Sequence, residues 1–484
     1  MTTVSITQAF ADKAAQAPDR VSITCGDQSV TRAELESRTN RLARAYANLG
    51  VSQGRYVTVA LPNSVEFFEA VVAIWKLGAT PQPVSYRLPD RERQAIVELA
   101  DAALVVGVAS QAHPTRTTVP QNFEPDQTLS DAALPDLISP AWKAPTSGGS
   151  TGRPKLIVAS DPGTVNVGAP GMGQQVDGVV CIPGPLYHNA PFSFASSALF
   201  HGNHLVLLPQ FDAEATLVAV EKHSADWILL VPTMMSRISR LADDVKNRYD
   251  LSSLVAIWHM AAPCPPWLKE EWCNWLGGQR IMELYAGTEA QAVTIIRGDE
   301  WLAHRGSVGR CVGGEMKVLD SDTYEELPPG TVGEIFMRSG RGATYKYLGA
   351  EARISPDGWE SLGDLGKIDE DGFVYVLDRA KDMVLRAGEN IFCAEVEAAI
   401  YELPAVHECA VFGLPHERLG EELACAVMLK PDHELDVDTL RSHVATMLAS
   451  FKVPSRVVFV TEPLPRNASG KILKRELRDT FPQD

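Results

Sequence analysis

The residues able to do chemistry fall in five short segments of this 484-residue chain. The first is TSGGSTGRPK, Thr146 to Lys155. Its three glycines let the backbone approach a ligand closely. The loop N–H groups, the hydroxyls of Ser147, Ser150 and Thr151, and Lys155 can then all face a polyphosphate. The same composition alone describes a flexible linker. A Walker loop is excluded, because it needs Gly-Lys-Ser/Thr and here Arg153 and Pro154 precede the lysine. Neither Gly-Lys pair, Gly366-Lys367 or Gly470-Lys471, is followed by Ser or Thr; each is followed by isoleucine.

ELYAGTE, Glu283 to Glu289, sets an aromatic ring, two small residues, a hydroxyl and a carboxylate in succession. That set suits stacking on a base, contact with a phosphate and coordination of Mg²⁺, a hard cation that prefers oxygen. In SLGDLG, Ser361 to Gly366, Asp364 lies between glycines and can accept hydrogen bonds from a ribose diol; a lone Gly-Asp is otherwise a turn. DRAKDMVLRAGENI, Asp378 to Ile391, lies where the composition changes. PRNASGKI, Pro465 to Ile472, is a tight turn that presents Lys471 near the C-terminus.

The elements that must position these segments are legible from periodicity. Thr31 and Glu34 form a capping box for a helix that buries Leu35, Leu42, Tyr46 and Leu49 and ends at Gly50. A strand at 56–61 follows, then a helix capped by Ser64 that buries Val65, Phe68, Val72 and Trp75 and closes at Gly78, then a strand at 103–108. Alternating strand and helix implies parallel α/β layering, which continues to about residue 376. Residues 110–140, rich in Pro, Thr, Gln and Asp, read as a surface connection. From about 382 the pattern becomes a compact α+β unit, with strands near 409–414, 423–429 and 456–460 and helices near 394–402 and 436–449.

With 45% hydrophobic and 22% charged residues the chain is a globular protein of at least two domains. A net charge of -17 argues against nucleic acid or an anionic membrane as partner, so any phosphate site is built locally. The N-terminus has no basic start before an apolar core, and no apolar run approaches the ~20 residues of a membrane span. The eight cysteines are scattered without zinc-ligand spacing and read as reduced thiols of a cytoplasmic protein.

In this order and at these separations, the five segments resemble the adenylate-forming superfamily of acyl-coenzyme A synthetases, peptide-synthetase adenylation domains and luciferase. The wording is nearest the acyl-coenzyme A ligases. The likeness covers nearly the whole chain and extends to PNSVEFFEAVVAIWKLGATPQPVSYRL (62–88), PLYHNAPF (185–192) and the AAPCP turn (261–265).

The resemblance implies a large N-terminal domain of stacked sheets and helices, residues 1–380, and a smaller mobile α+β domain, residues 381–484. It implies ATP and Mg²⁺ as partners of the site and coenzyme A as acceptor. Ser147, Gly149, Ser150, Thr151 and Lys155 would form the phosphate loop, and Ala262, Pro263 and Tyr285 would lie against adenine. Thr288 would touch the α-phosphate, and Glu289, with Thr151, would hold Mg²⁺. Asp364 and Arg379 would bind ribose. Lys381 would be the hinge, Gly388 would line the acceptor tunnel and Lys471 would be the adenylation lysine.

His188 would border the acyl pocket and steer the carboxylate; a packed histidine beside the core is the bland alternative. Asn189, Phe192, Phe194, Met234 and Met235 come from segments expected near that pocket, and their size favours an aromatic or bulky hydrophobic acid. The loop lacks one hydroxyl of the usual Thr-Ser-Gly-Thr-Thr-Gly, and Ala387 and Cys393 stand where relatives often have Gly and Pro, which bears on how the acceptor enters. An amide synthetase that passes the same adenylate to an amine is the near alternative. A luciferase-like oxygenase and a non-catalytic binding protein are the alternatives of other classes. A homodimer is left open.

Overall fold

The computed structural model describes residues 2–148, 154–466 and 472–482. Gly149, Ser150, Thr151 and Lys471 lie outside them, and of Ser147 only the backbone is described. The chain is mixed α/β and falls into two compact units.

The first unit comprises Met1–Ala262, Leu276–Gln291 and Arg341–Glu351. Its central strands run in the order Ile281–Ala286, Ala256–His259, Trp227–Leu230, Val179–Ile182, His204–Leu207 and Val21–Cys25, all parallel, with Gln28–Thr31 added antiparallel. Sequences such as VVCI and WILL are apolar without alternation because helices cover both faces of such a sheet. A second parallel set runs Thr80–Pro83, Tyr56–Val59, Leu104–Val106 and Thr118–Val119. Its last strand lies within the stretch read from sequence as a surface connection.

The helix boundaries follow their caps. Arg32–Asn48 carries the full capping box of Thr31 and Glu34. In Val65–Lys76, Ser64 accepts from the Phe67 amide, and nearly every residue is buried. A three-stranded antiparallel sheet places Pro154–Ala159 between Thr146–Gly148 and Tyr345–Leu348, so Ser147 stands opposite Lys155 in the backbone register.

The second unit comprises Pro263–Trp275, Ala292–Gly340 and Ala352–Asp484. Its antiparallel strands include Glu360–Ile368 paired with Phe373–Arg379, which sets Asp364 opposite Arg379. Beyond residue 381, Val406–His416 and Gly420–Leu429 form a long antiparallel pair, and Arg456–Val460 joins it in parallel. The helices Cys393–Tyr401 and Val437–Met447 pack on one face through Val396, Ile400, Leu440 and Val444, and Leu477 of Lys474–Thr480 packs on the other. These elements match the sequence expectation to within a few residues at each end.

Candidate active site

The antiparallel sheet of the first unit brings together a lysine, a carboxylate and a phenol. Lys155 stands at the start of Pro154–Ala159, and its Nζ lies 3.6 Å from Glu289 Oε1. The same ammonium sits 4.0 Å from the centre of the Tyr347 ring, a cation–π contact. The Tyr347 hydroxyl donates to Glu289 Oε1 at 2.5 Å, and the Thr344 hydroxyl donates to the Glu289 carbonyl at 2.6 Å. Glu289 is only 5% exposed. Burial, with the Glu289 carboxylate beside it, drives the Tyr347 phenol far above its ordinary range, so it stays protonated and donates.

Tyr347 and Thr344 were not legible as site residues. Their signal is the alternation in Tyr345–Leu348, which turns Tyr345 and Tyr347 to one face, but nothing local ties that strand to residue 289.

Tyr285 is the last but one residue of the strand Ile281–Ala286, and Thr288 lies two residues beyond its end; both are half-buried. Ala262 is exposed beside Ala261, whose φ of +73° marks a strained turn for a residue with a Cβ. Pro263, the first residue of the second unit, is also exposed.

His188 is the N-cap of the helix Asn189–Phe200. Its ring lies 4.5 Å from that of Tyr187, and burial pushes its pKa down to about 4, so the imidazole is neutral at physiological pH. Asn189 Oδ1 accepts from Lys143 Nζ at 2.5 Å. Lys143 was not singled out in the sequence, where it lies in an unremarkable stretch before the glycine loop.

Phe194 lines a cavity of about 410 Å³ and packs on Trp227 at 5.3 Å between ring centres. Phe192 is wholly buried among the rings of Phe67, Phe68, Trp75 and Trp142, and Met235 is equally enclosed. Met234, one residue before, is only half-buried.

In the second unit Asp364 and Arg379 form a salt bridge of 2.6 Å, and Arg379 Nη1 also donates to the Leu362 carbonyl at 2.9 Å. Asp364 is 3% exposed, and Arg379 is the more open partner. The pair fixes a carboxylate and a guanidinium side by side. Lys381 is exposed two residues further on, in a turn closed by the Asp382 and Met383 amides on the Arg379 carbonyl. Gly388 sits with Ala387 in the two-residue loop between Val384–Arg386 and Glu389–Ile391, with φ of +88° and +51°. Two left-handed residues in a hairpin loop are the type I′ arrangement, which explains the glycine and strains the alanine.

Residues 10–348 match the family described as AMP-binding enzyme, and residues 395–471 match the AMP-binding enzyme C-terminal domain. A feruloyl-CoA synthase of Amycolatopsis is 31% identical over 97% of both chains. The o-succinylbenzoate CoA synthetase MenE from Bacillus subtilis, in complex with the acyl-adenylate intermediate OSB-AMP, superposes with a TM-score of 0.87 and 25% identity over the whole of both chains. The amide bond synthetase McbA from Marinactinospora thermotolerans shares the fold, at 24% identity over 99% of this chain and 100% of its own, with a TM-score of 0.83. The chain belongs to the AMP-binding enzyme family, and within it to the AMP-forming ligases of acyl-CoA synthetase type.

MenE also superposes, with a TM-score of 0.85, in its complex with ATP and magnesium ion. The buried Glu289 carboxylate has the oxygen chemistry that such a cation takes, and the Lys155 ammonium beside it has N–H donors of the kind that phosphate oxygens accept. No helix among the described residues is long and apolar enough to cross a membrane.

Proposed function

We propose that this protein activates an aromatic or other bulky hydrophobic carboxylic acid with ATP and transfers the acyl group to coenzyme A. The observation that carries the reading is the Lys155, Glu289 and Tyr347 set, a buried anion held between a cation and a phenol.

A carboxylate is a poor acyl donor because oxide would have to leave. In the first step a carboxylate oxygen attacks the α-phosphorus of ATP, a new O–P bond forms and pyrophosphate departs. In the second step the thiol attacks the acyl carbon, its proton is lost, and AMP leaves with the former carboxylate oxygen. Charge spreads over the phosphoryl group in the first step, so the demand is for in-line positioning and fixed cations.

Lys155 meets that demand on the phosphate tail, and Lys471 completes it at the α-phosphate. Glu289, held by the Tyr347 hydroxyl, would hold Mg²⁺. When bound, that ion neutralises phosphate charge. Thr288 contacts the α-phosphate, Tyr285 packs on adenine with Ala262 and Pro263, and the Asp364–Arg379 pair binds the ribose. The neutral His188 donates a hydrogen bond to the carboxylate without adding a competing cation.

A domain beginning at 381 turns about Lys381 between the two steps and brings Gly388 to the acceptor path. Among the described residues no disulfide joins any of the eight cysteines, which suits a cytoplasmic setting.

The test is pyrophosphate release across a panel of acids, each run with and without coenzyme A and amines. Acid-dependent release with an acyl thioester as product is expected. ATP hydrolysis to ADP that ignores every acid would remove the reading, and amide formed from an amine with no effect of coenzyme A would turn it to an amide synthetase.

A further inference from the structure

We propose that Lys143 reads a second oxygen function on the acid, so that the preferred substrate carries an acceptor oxygen, a hydroxyl or a second carboxylate, at the end remote from the carboxylate that is activated. The inference rests on the acid-activation reading and specifies its substrate.

Lys143 is 9% exposed. Its Nζ donates to Asn189 Oδ1 at 2.5 Å and to Ser193 Oγ at 2.6 Å, and lies 4.4 Å from the centre of the Trp142 ring. An ammonium carries three donors, and these two acceptors are neutral. Among the described residues no carboxylate comes within ion-pair distance of this nitrogen. Asp161 acts on it only from a distance, and Asp161 is itself bridged to Arg341 at 3.1 Å. Burial without a counter-ion pulls the Lys143 pKa down to about 7. A methionine would fill the same space without this cost, so packing alone gives no reason for a lysine here.

The geometry supplies a reason. Trp142 and Ser193, the ring beneath Nζ and the hydroxyl bonded to it, both line the 410 Å³ cavity. That volume lies within the range of small-molecule sites. Met172, Phe194 and Phe200 provide its apolar walls, and the Asp161–Arg341 pair lies along it. Asn189, Ser193 and Ser197 are spaced four apart, so they share one face of the helix whose N-cap is His188. His188 caps the start of that helix, and Ser193, Phe194, Ser197 and Phe200 further along it line the cavity. An acceptor oxygen entering beside Ser193 would complete the third hydrogen bond of Lys143 and, if anionic, its charge.

The experiment measures acid-dependent pyrophosphate release for two matched sets: cinnamate, 4-methylcinnamate, 4-hydroxycinnamate and 4-carboxycinnamate, and octanoate with octanedioate. Wild type should show kcat/KM at least 10-fold higher for an oxygen-bearing member than for its apolar match. The carboxylate arm leads if charge is what Lys143 reads, and the hydroxyl arm leads if it reads a neutral acceptor. Lys143→Met, checked for folding by thermal melting, should lose that preference chiefly through KM while keeping the apolar acids. A wild-type preference for the apolar members overturns the inference whether or not the variant folds, and so does a folded variant with unchanged preference. No pyrophosphate from any acid would instead sink the acid-activation reading itself.

Discussion

Lys155 and Glu289 lie 134 positions apart in the sequence, yet their charged atoms stand 3.6 Å from each other, and Tyr347 contacts both. A buried carboxylate with one cation and one phenol on the same oxygen is held in a fixed direction. Its chemistry is tested first.

Glu289→Gln keeps the shape and removes the charge. Its apparent Mg²⁺ affinity in pyrophosphate release should fall by ~10–100-fold, with the melting temperature little changed. Magnesium titration at saturating ATP is the measurement, and an unchanged midpoint would take Glu289 out of the metal site.

Asp364→Ala removes the partner of Arg379 and the acceptor for a ribose diol. Charge-assisted hydrogen bonds are worth roughly 1.5–3 kcal/mol each, so KM for ATP should rise by ~10–100-fold while the circular dichroism stays native. Normal ATP kinetics in the folded variant would remove Asp364 from the nucleotide site.

His188 is half-buried, and desolvation lowers its pKa from the ordinary 6.5 to about 4. The unfolded chain therefore binds this proton more readily, and stability linked to His188 is fully present above about 6.5 and lost as pH falls towards about 4. His188→Phe should lose less stability than wild type across that window, measured by denaturant unfolding at several pH values. Parallel losses would mean that the imidazole is protonated in place at little cost.

Lys143 gives the complementary sign. Its pKa falls from the ordinary 10.5 to about 7, so the cost of the buried charge is full below 7 and is relieved as pH rises towards 10.5. Lys143→Met should be more stable than wild type by ~1 kcal/mol at pH 6 and should lose that advantage by pH 10, where the neutral amine keeps its bonds to Asn189 and Ser193. A difference that ignores pH would show that the amine is not desolvated.

The domain-turning step separates Lys471 from Lys381. Lys471→Ala should abolish acyl-AMP formation yet convert supplied acyl-AMP to product, because the cation is needed only while charge develops on phosphorus. Lys381→Pro should adenylate and then stall, because a fixed φ at the hinge restricts rotation. Both half-reactions are assayed separately on folded protein, and equal loss of both steps in both variants would end the proposal of two orientations.

The sequence by itself determined the alternating α/β layering, the caps at Thr31 and Ser64, and the strands and helices beyond residue 381, because caps and periodicity are local physics repeated along a few turns. It also determined the family, through motifs whose order no local rule explains but whose residues are contiguous. Only the tertiary structure decided which side chains meet. Asp364 and Arg379 are joined by strand register, and Tyr347 reaches Glu289 because Tyr345–Leu348 adds to the edge of Pro154–Ala159. Phe192 and Phe194, two positions apart on one helix, part company because each position turns by about 100° and two by about 200°, which sends one into an aromatic core and the other to a cavity. Lys143 was invisible for the same reason. A lysine in a loop reads as a solvated charge until the fold closes Asn189, Ser193 and Trp142 around it, since burial is a property of the packed chain and has no signature in the residue itself.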